Sequence, residues 1–337
     1  MRLCLGVLTL FVGFGCPGGE AKPADCLEGY VRDASGQCVP MGAGEPSPTD
    51  TGTSPDDSAA PAPEDTGEPP APDDPCDAPD LSDGFPSGTE DCADGRCVVE
   101  AGSFFMGSIE GHDDECPVRQ IELSTYIIDK DEVTWGGYGA CVEAGVCTAT
   151  PEWCQARAEG LSPAGVDELP VFCVTWSQAR DYCAHVDGRL PTEAEWEKAA
   201  RGTRGSKWPW GDAVPTCDFA NFRFVSWYCQ PGVVAVGSFE NASPYGVRDM
   251  VGNAWEWVDD AYDAEWYRVS TNTNPVGPTE DCHDAVGADT GPCVERVIRG
   301  GAFNVTEFNT RSAARSAAEP DRVDDNIGFR CAYGAPD

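Results

Sequence analysis

The 337-residue sequence predicts an α+β domain with little regular secondary structure, held together by disulfide bonds. Three observations support this fold class: two helices are clearly delimited, the other regular segments are short strand-like runs, and the chain contains 18 cysteines. There are only three histidines and no CxxC pair, so the cysteines lack the spacing of a zinc site. Disulfides formed in an oxidising compartment are therefore expected.

The first element in chain order is a signal peptide over residues 1–16. Its apolar run, from Leu3 to Phe14, is too short to span a membrane and is typical of a signal-peptide core. Gly15-Cys16 is similar to a bacterial lipoprotein cleavage site. This predicts secretion across the inner membrane and a lipid on Cys16 that anchors the protein at the envelope or outer membrane of a Gram-negative bacterium. The alternative is ordinary secretion with Cys16 in a disulfide.

Residues 17–91 are predicted to form a cysteine-bounded loop and an acidic, proline-rich linker. Residues 41–80 are rich in Pro, Asp, Glu, Ser and Thr and contain no Lys or Arg. Such a segment cannot bury enough apolar surface to offset the entropy lost on ordering. We expect an extended tether that holds the following domain, residues 92–337, away from a membrane.

The acidic composition excludes one class of partner. The chain has 22 Lys and Arg against 58 Asp and Glu, a formal net charge of -36. Phosphate backbones are repelled by such a charge, so no nucleic acid is expected as a partner. Divalent cations and basic ligands are electrostatically favoured, although solubility alone also accounts for an acidic surface.

Two helices of the domain carry local start and stop signals. Each begins with a threonine that has Gln or Glu three residues later, a capping box, and each is followed by a glycine. These residues are Thr175, Gln178 and Gly188 in one helix, and Thr192, Glu195 and Gly202 in the other. A third helix is predicted after Thr134, where three glycines lower the helix propensity.

The strand-like runs are short, and the segments between them are predicted to be loops. The predicted strands are Ser103–Met106, Arg119–Ile128, Val233–Val236, Val297–Arg299 and Gly328–Ala332.

Eight segments of the domain, taken together and in order, resemble the sulfatase-modifying factor family, which includes the formylglycine-generating enzyme. They are GSFFMGS (102–108), IIDKDEVT (127–134), PVFCVTWSQARDYC (170–183), GRLPTEAEWEKAARG (188–202), WPWGD (208–212), YGVRDMVGNAWEWVDD (245–260), VIRGGAF (297–303) and NIGFRCA (326–332). The resemblance implies a fold related to C-type lectins, a mixed α+β domain with a twisted antiparallel core.

The resemblance also implies a reaction, but this chain lacks the cysteines that the reaction uses. Enzymes of the family oxidise a sulfatase cysteine to formylglycine with copper and oxygen, and two cysteine thiolates hold the soft copper ion. Both lie in the interval that corresponds here to AFNVTEFNTRS, between Arg299 and Arg315, which contains no cysteine. Val305 or Thr306 stands near the position of the first thiolate. We therefore expect neither copper nor formylglycine synthesis, and no catalytic residue is assigned.

Disulfides are expected from the resemblance and from local spacing. The resemblance implies a bond between Cys183 and Cys331; a second family bridge would join positions that are Ala200 and Ser312 here. Short loops predict Cys217–Cys229, Cys282–Cys293 and Cys26–Cys38, and predict that Cys141, Cys147, Cys154 and Cys173 pair among themselves. The pairing of Cys76, Cys92, Cys97 and Cys116 cannot be deduced from the sequence.

A structural calcium ion is the cofactor that the resemblance implies. The implied ligands are the side chains of Asp249 and Glu256 and the carbonyls of Gly252 and Ala254, a set of hard oxygen donors that suits calcium. A second site would use Asn221 and the carbonyl of Phe222, but its other ligands have no match in this sequence. The alternative is a solvated acidic turn.

The family's cleft suggests binding residues around the same segment. Three arginines there are candidates to bind an anionic group, with two aromatic side chains and one amide beside them. These candidates are Arg299, Arg311, Arg315, Trp255, Phe303 and Asn304. The alternative is that the arginines pair with Glu319, Asp321 or Asp324 to hold loops. Glu193 and Glu197 are predicted to lie on a helix surface.

These observations favour a non-catalytic binding or structural module at the cell envelope, stabilised by calcium and disulfides. Its partner would be a protein, a peptide or a glycan, and the lipid anchor would hold it to a membrane. The alternatives are a modifying enzyme of the same family with a relocated active site, and a scaffold for a larger envelope assembly.

Overall fold

The computed structural model describes residues 89–335, except 163–164, 240, 279–280 and 284–286, and two short strands nearer the N-terminus. The predicted signal peptide, the lipidated Cys16, the Cys26–Cys38 bond and the linker lie outside the described residues. The chain divides into two units, Met1–Glu68 and Pro69–Asp337. Within the described part, no helix has the length and apolarity needed to cross a membrane.

The first unit contains one antiparallel pair of strands, β1 (Tyr30–Arg32) and β2 (Cys38–Pro40), in which Val31 lies opposite Val39.

The second unit contains all the other elements. In chain order they are β3 (Cys92–Ala93), β4 (Arg96–Val99), β5 (Gly102–Met106), β6 (Arg119–Leu123), β7 (Tyr126–Asp129), α1 (Trp135–Glu143), α2 (Glu152–Leu161), α3 (Trp176–His185), α4 (Glu193–Arg201), β8 (Trp255–Ala261), α5 (Trp266–Val269), β9 (Asp281–His283), β10 (Asp289–Pro292), β11 (Arg296–Arg299), β12 (Arg315–Ala318), β13 (Ile327–Phe329) and β14 (Ala332–Tyr333). Two 3-10 turns, Asp113–Glu115 and Glu307–Thr310, complete it.

Two four-stranded sheets form the centre of this unit. One has the order β12-β11-β8-β13, with β13 parallel to β8 and the other pairs antiparallel. The other has the order β14-β7-β4-β3 and is antiparallel throughout. The pairs β5–β6 and β9–β10 are separate antiparallel hairpins. This is the expected α+β architecture, with most of the described residues in turns and loops.

The three predicted helices are present, and their caps explain where they begin. Thr175 and Thr192 each accept a hydrogen bond from the backbone N–H of the residue three positions later, and both capping boxes are complete. Thr134 caps α1 in the same way, through the N–H of Gly137. Helix α2 was not predicted, because proline is its N-terminal flanking residue and no capping side chain marks its start.

One predicted strand is wrong and two are divided. Val233–Val236 forms no strand, because its N–H groups bond to other partners: Val234 to the side chain of Asn253, and Val236 to the carbonyl of Glu168. The run 119–128 is broken by a turn between β6 and β7. The run 328–332 becomes two strands, β13 and β14, which belong to different sheets.

The disulfides tie these loops together. The structure joins Cys183 to Cys331, Cys217 to Cys229 and Cys282 to Cys293, as expected. The four-cysteine group pairs internally as Cys141–Cys147 and Cys154–Cys173. Cys92 pairs with Cys97 across the β3–β4 hairpin, and Cys116 is also disulfide-bonded. All 13 cysteines in the described part of residues 89–335 are therefore oxidised.

The bond between α3 and the segment before β14 is expected to stabilise the domain most. Cys183 and Cys331 are fully buried and 148 residues apart, whereas Cys217 and Cys229 are 12 apart. In the chain-entropy model, replacing the first pair by alanine costs about 4–5 kcal/mol of unfolding free energy and replacing the second about 3 kcal/mol. Denaturant unfolding of the two double variants measures this difference. Equal losses would contradict the loop-length argument.

Candidate functional site

The segment from Arg299 to Arg315 passes through the interior of the domain. Arg299 ends β11 and is fully buried, as are Glu193 and Glu197 of helix α4. The Arg299 guanidinium donates to Glu197 at 2.6 Å and to Glu193 at 3.2 Å, and also to the carbonyls of Ser312 and Ala313. The two glutamates lie four residues apart, so both face the same side of the helix.

Arg315, at the start of β12, completes this network. Its Nε and Nη2 donate to the two carboxylate oxygens of Glu193, at 2.7 and 3.1 Å, and its Nη1 donates to the carbonyls of Asp114 and Asp263. Burial alone would lower the pKa of the Arg315 guanidinium, but the charge of Glu193 raises it above its ordinary value. The group is therefore a fixed cation, paired inside the protein and withdrawn from any external anion.

Arg311 is paired separately. Its guanidinium makes a two-pronged contact with Glu115, with N–O distances of 2.6 and 2.7 Å, and Glu115 is fully buried. All three arginines are thus structural, as the alternative interpretation proposed, but the predicted partners Glu319, Asp321 and Asp324 are wrong. The prediction of Glu193 and Glu197 as helix-surface residues is also wrong, because buried arginines compensate their charges.

Substitution of Glu197 is expected to destabilise the protein strongly. Glu197 accepts hydrogen bonds from Arg201, Arg299 and the N–H of Gly107 in the interior. Glu197→Gln leaves buried guanidinium groups without their counter-charge, so we expect a loss of about 3 kcal/mol or more of unfolding free energy. The matched control is Glu143→Gln, at the exposed end of α1, which should cost less than about 0.5 kcal/mol. Denaturant titrations of both variants give the values, and similar losses would refute the role assigned to Glu197.

The candidate calcium loop, residues 249–256, has an unusual backbone. Asp249, Gly252 and Asn253 all have positive φ, at 57°, 73° and 62°. A Cβ on Gly252 would lie 2.1 Å from the backbone oxygen of Asn221, so only glycine fits there. Non-glycine residues in this conformation are costly and persist where the surroundings enforce them, often at functional sites.

The structure brings the two predicted calcium-binding segments together. Asn221 and Gly252 form an isolated parallel bridge, and the N–H of Asn253 donates to the carbonyl of Asn221 at 2.7 Å. The carbonyl of Phe222, predicted as a ligand, accepts a hydrogen bond from the N–H of Cys229.

Glu256 does not fit its predicted role in this geometry. Both of its oxygens accept hydrogen bonds at 2.7 Å from the buried guanidinium of Arg330, and one also accepts from the indole N–H of Trp196. A carboxylate already neutralised by an arginine is a poor calcium ligand, because the cation would lie against a like charge. Asp249 is different, since burial raises its pKa to about 6 and its carboxylate accepts a hydrogen bond from the N–H of Gly237 rather than from an arginine.

Two buried oxygen atoms beside this loop have no hydrogen-bond donor: Oε2 of Glu132 and Oδ1 of Asn221. Both residues contact Asn253, whose Nδ2 donates to the other oxygen of Glu132 at 3.0 Å and whose Oδ1 accepts from Asn221 at 3.3 Å. Burial, followed by the charges of Asp249 and Glu256, raises the pKa of Glu132 well above its usual range. Such unsatisfied acceptors suit a cation or a proton.

Sequence reasoning missed Glu132 and Asn253. Glu132 precedes helix α1 inside a family segment, but nothing in that segment marks it as buried. Among the described residues, no three His, Cys, Asp or Glu side chains converge as a metal site. A calcium ion here would therefore need amide and carbonyl oxygens beside one or two carboxylates.

Of the remaining cleft candidates, Trp255 and Phe303 lie in the core and Asn304 is partly buried. Trp255 and Phe303 are buried in one apolar cluster with Phe172 and Ile327. Asn304 accepts a hydrogen bond from Asn326 at 3.0 Å, and the carbonyl of Val305 accepts one from the N–H of Arg223. The segment that would carry the thiolates is thus tied on both sides by hydrogen bonds.

The domain thus has an α+β fold of the C-type-lectin-like type, the fold of sulfatase-modifying factors. The family model of the sulfatase-modifying factor enzyme 1-like domain matches residues 84–335. The chain belongs to this family.

Individual relatives agree with the assignment. The chain is 29% identical over 293 residues to the formylglycine-generating enzyme of Streptomyces coelicolor, covering 72% of this chain and 90% of that protein. It is 30% identical over 294 residues to the inactive Cα-formylglycine-generating enzyme 2 of Bos taurus, covering 70% and 87%. It is also 33% identical over 253 residues to the serine/threonine-protein kinase pkn1 of Chlamydia caviae, covering 70% of this chain but only 37% of the kinase.

Among solved structures, PvdO from Pseudomonas aeruginosa is similar, with a TM-score of 0.57 and 26% identity over 74% of this chain and 99% of that one.

Proposed function

We propose that this protein is a non-catalytic binding or structural module of its family, located at the cell envelope. The observation that carries the proposal is the absence of any cysteine between Arg299 and Arg315, the interval that holds both copper-binding thiolates in the enzymes that the chain resembles. The chemistry requires thiolates, and Val305 and Thr306 cannot replace them.

The state of the other cysteines supports this proposal. Every cysteine in the described part of residues 89–335 is in a disulfide, so none of these offers a thiolate for a relocated copper site. The arginines of the same segment are paired with buried glutamates, which leaves them structural. One relative is named an inactive Cα-formylglycine-generating enzyme. Its name is consistent with a family in which a member keeps the fold and lacks formylglycine synthesis.

Envelope location is the second part of the proposal. It rests on the signal-peptide pattern, the Gly15-Cys16 sequence and the disulfide content, which requires an oxidising compartment. Labelling of the expressed protein with a radioactive fatty acid tests the anchor: we expect label on the wild type and none on Cys16→Ser. Unlabelled wild type recovered in the soluble fraction would favour simple secretion.

Metal content and turnover test the non-catalytic assignment. The purified, oxidised protein is expected to contain no stoichiometric copper and to consume no oxygen with a cysteine-containing sulfatase peptide. Elemental analysis and oxygen electrode measurements give the two results. Bound copper or iron, or oxidation of the peptide, would instead support the alternative, a family enzyme with a relocated active site.

We further propose that calcium stabilises the 249–256 loop, with Asp249 as the central ligand. Glu132 and Asn221 contribute acceptors in place of Glu256, whose carboxylate is bound to Arg330. Protein stability should then rise with calcium concentration, since an ion that binds only the folded state stabilises it by mass action.

Thermal unfolding with calcium and with a chelator tests this site. Calcium should raise the Tm of the wild type, and Asp249→Asn or Glu132→Gln should abolish that rise, whereas Asp259→Asn, at an exposed position, should retain it. An unchanged Tm shift in both ligand variants would exclude the site.

The pH dependence follows from Asp249. The pKa of Asp249 is about 6 in the folded protein, higher than its usual value near 4 in the unfolded chain. As the pH rises, the unfolded state therefore loses this proton before the folded state does. The unfolding free energy without calcium then falls between about pH 4 and about pH 6. Asp249→Asn should flatten this fall. Calcium competes with the proton, so its effect on Tm should be larger at pH 7 than at pH 5.

A further inference from the structure

A hairpin beside the Arg299–Arg315 segment carries two half-exposed aromatic side chains, Trp227 and Tyr228. We call residues 222–229 the aromatic hairpin. The N–H of Phe224 bonds to the carbonyl of Trp227, and the N–H of Cys229 bonds to that of Phe222. The Cys217–Cys229 disulfide fixes one end, and the N–H of Arg223 ties the hairpin to Val305. The exposed rings are therefore held on a constrained backbone.

The two faces of the hairpin differ in what covers their rings. On one face Phe222 packs on Phe224, and Phe224 stacks on Trp227 with ring centroids 4.2 Å apart and planes 19° apart. On the other, Arg223 lies opposite Tyr228, and its guanidinium is 5.9 Å from the centre of that ring. Tyr228 thus has a cation from its own chain.

Trp227 has one face against Phe224, yet the residue is 51% exposed. Other aromatic rings of the protein, those of Trp176, Phe308 and Tyr333, have an arginine of the chain within 3.6 to 4.2 Å of the ring centre. The chain is poor in cations, with 22 Lys and Arg against 58 acidic residues. In the described part of the chain no arginine lies over the Trp227 ring in this way, so we look to another molecule for a cation on its exposed face.

We propose that the open face of Trp227 binds a lysine or arginine side chain of a partner protein. Tryptophan provides the strongest cation–π contact of the aromatic residues. The net charge of -36 attracts a basic segment from a distance and repels acidic ones. Because Phe224 and the disulfide hold the indole in place, little side-chain entropy is lost on binding.

This inference rests on the proposed binding function and specifies its partner as a protein with an exposed lysine or arginine. Negative charge alone would attract any polycation, so the decisive property is dependence on one indole ring. A matched control is available: Trp153, on helix α2, is 53% exposed and carries the same side chain on the same acidic protein.

The test uses the full-length oxidised protein and a blocked hexa-arginine peptide, with hexa-glutamate as the negative probe. Titration calorimetry gives the Kd for the wild type, Trp227→Ala and Trp153→Ala. NMR of the tryptophan indole N–H groups shows which ring senses the peptide, and Trp227→Phe assigns the resonance. Thermal unfolding checks that each variant folds, and Trp227→Phe keeps a ring against Phe224.

We expect Trp227→Ala to weaken peptide binding about two- to fivefold, the contribution of one exposed cation–π contact, with a smaller loss in Trp227→Phe and none in Trp153→Ala. The Trp227 indole resonance should shift most. Equal affinities for all variants would overturn the proposal and leave only diffuse attraction.

A shift of the Trp227 resonance with neutral oligosaccharide or zwitterionic vesicles, but not with the peptide, would also overturn it in favour of those ligands. Neither result depends on whether the protein oxidises a sulfatase peptide, which separately tests the proposed function.

Discussion

The charge network between helix α4 and strands β11 and β12 is the constraint on which the rest of the domain depends. Two glutamates on one side of α4 hold Arg299 and Arg315, which end one strand and begin the next. These contacts fix the helix against the sheet and the two ends of the Arg299–Arg315 segment at once. The network is nearly satisfied: of the guanidinium nitrogens of these two arginines, only the Nε of Arg299 has no hydrogen-bond partner. Buried networks of this kind favour one packing, and removal of one partner is strongly destabilising.

This arrangement explains how the family's segment persists without cysteines. Arg299 and Arg315, at the ends of the segment, form ion pairs that stabilise the fold. Their presence is therefore not evidence for catalysis. The residues between them are held by backbone hydrogen bonds and by the buried Arg311–Glu115 pair. The segment is therefore held in place without a cysteine of its own.

Local signals explain what the sequence predicts well. The capping threonines of α3 and α4 act within four residues, so their effect is visible in the sequence itself. Disulfides across short loops are predictable for the same reason, since few partners lie close along the chain. The α+β class follows from the helix and strand signals, whereas the C-type-lectin-like type of the fold follows only from the order of the family segments.

The failures concern contacts between residues distant in the chain. Glu193 and Glu197 are charged residues at helix positions that face solvent in most proteins. Their burial is explained by arginines 102 to 122 residues away, to which Glu197 adds Arg201 of the same helix. Glu256 is a calcium ligand only by the family resemblance, and its contact with Arg330, 74 residues away, could not be foreseen from the sequence. Val233–Val236 is apolar enough for a strand but bonds to Asn253 and Glu168 instead.

The seven residues from Ile327 to Tyr333 supply a strand to each of the two sheets, and Arg330 and Cys331 between them supply an ion pair and a disulfide. A ribosome delivers this segment after almost all the rest of the domain. Until then, β13 cannot pair with β8, β14 cannot pair with β7, and the Cys183–Cys331 disulfide to α3 cannot form. Long-range contacts of this kind slow folding. The domain must therefore remain incomplete for most of its synthesis, with its hydrophobic interior open to chaperones until its last strands arrive.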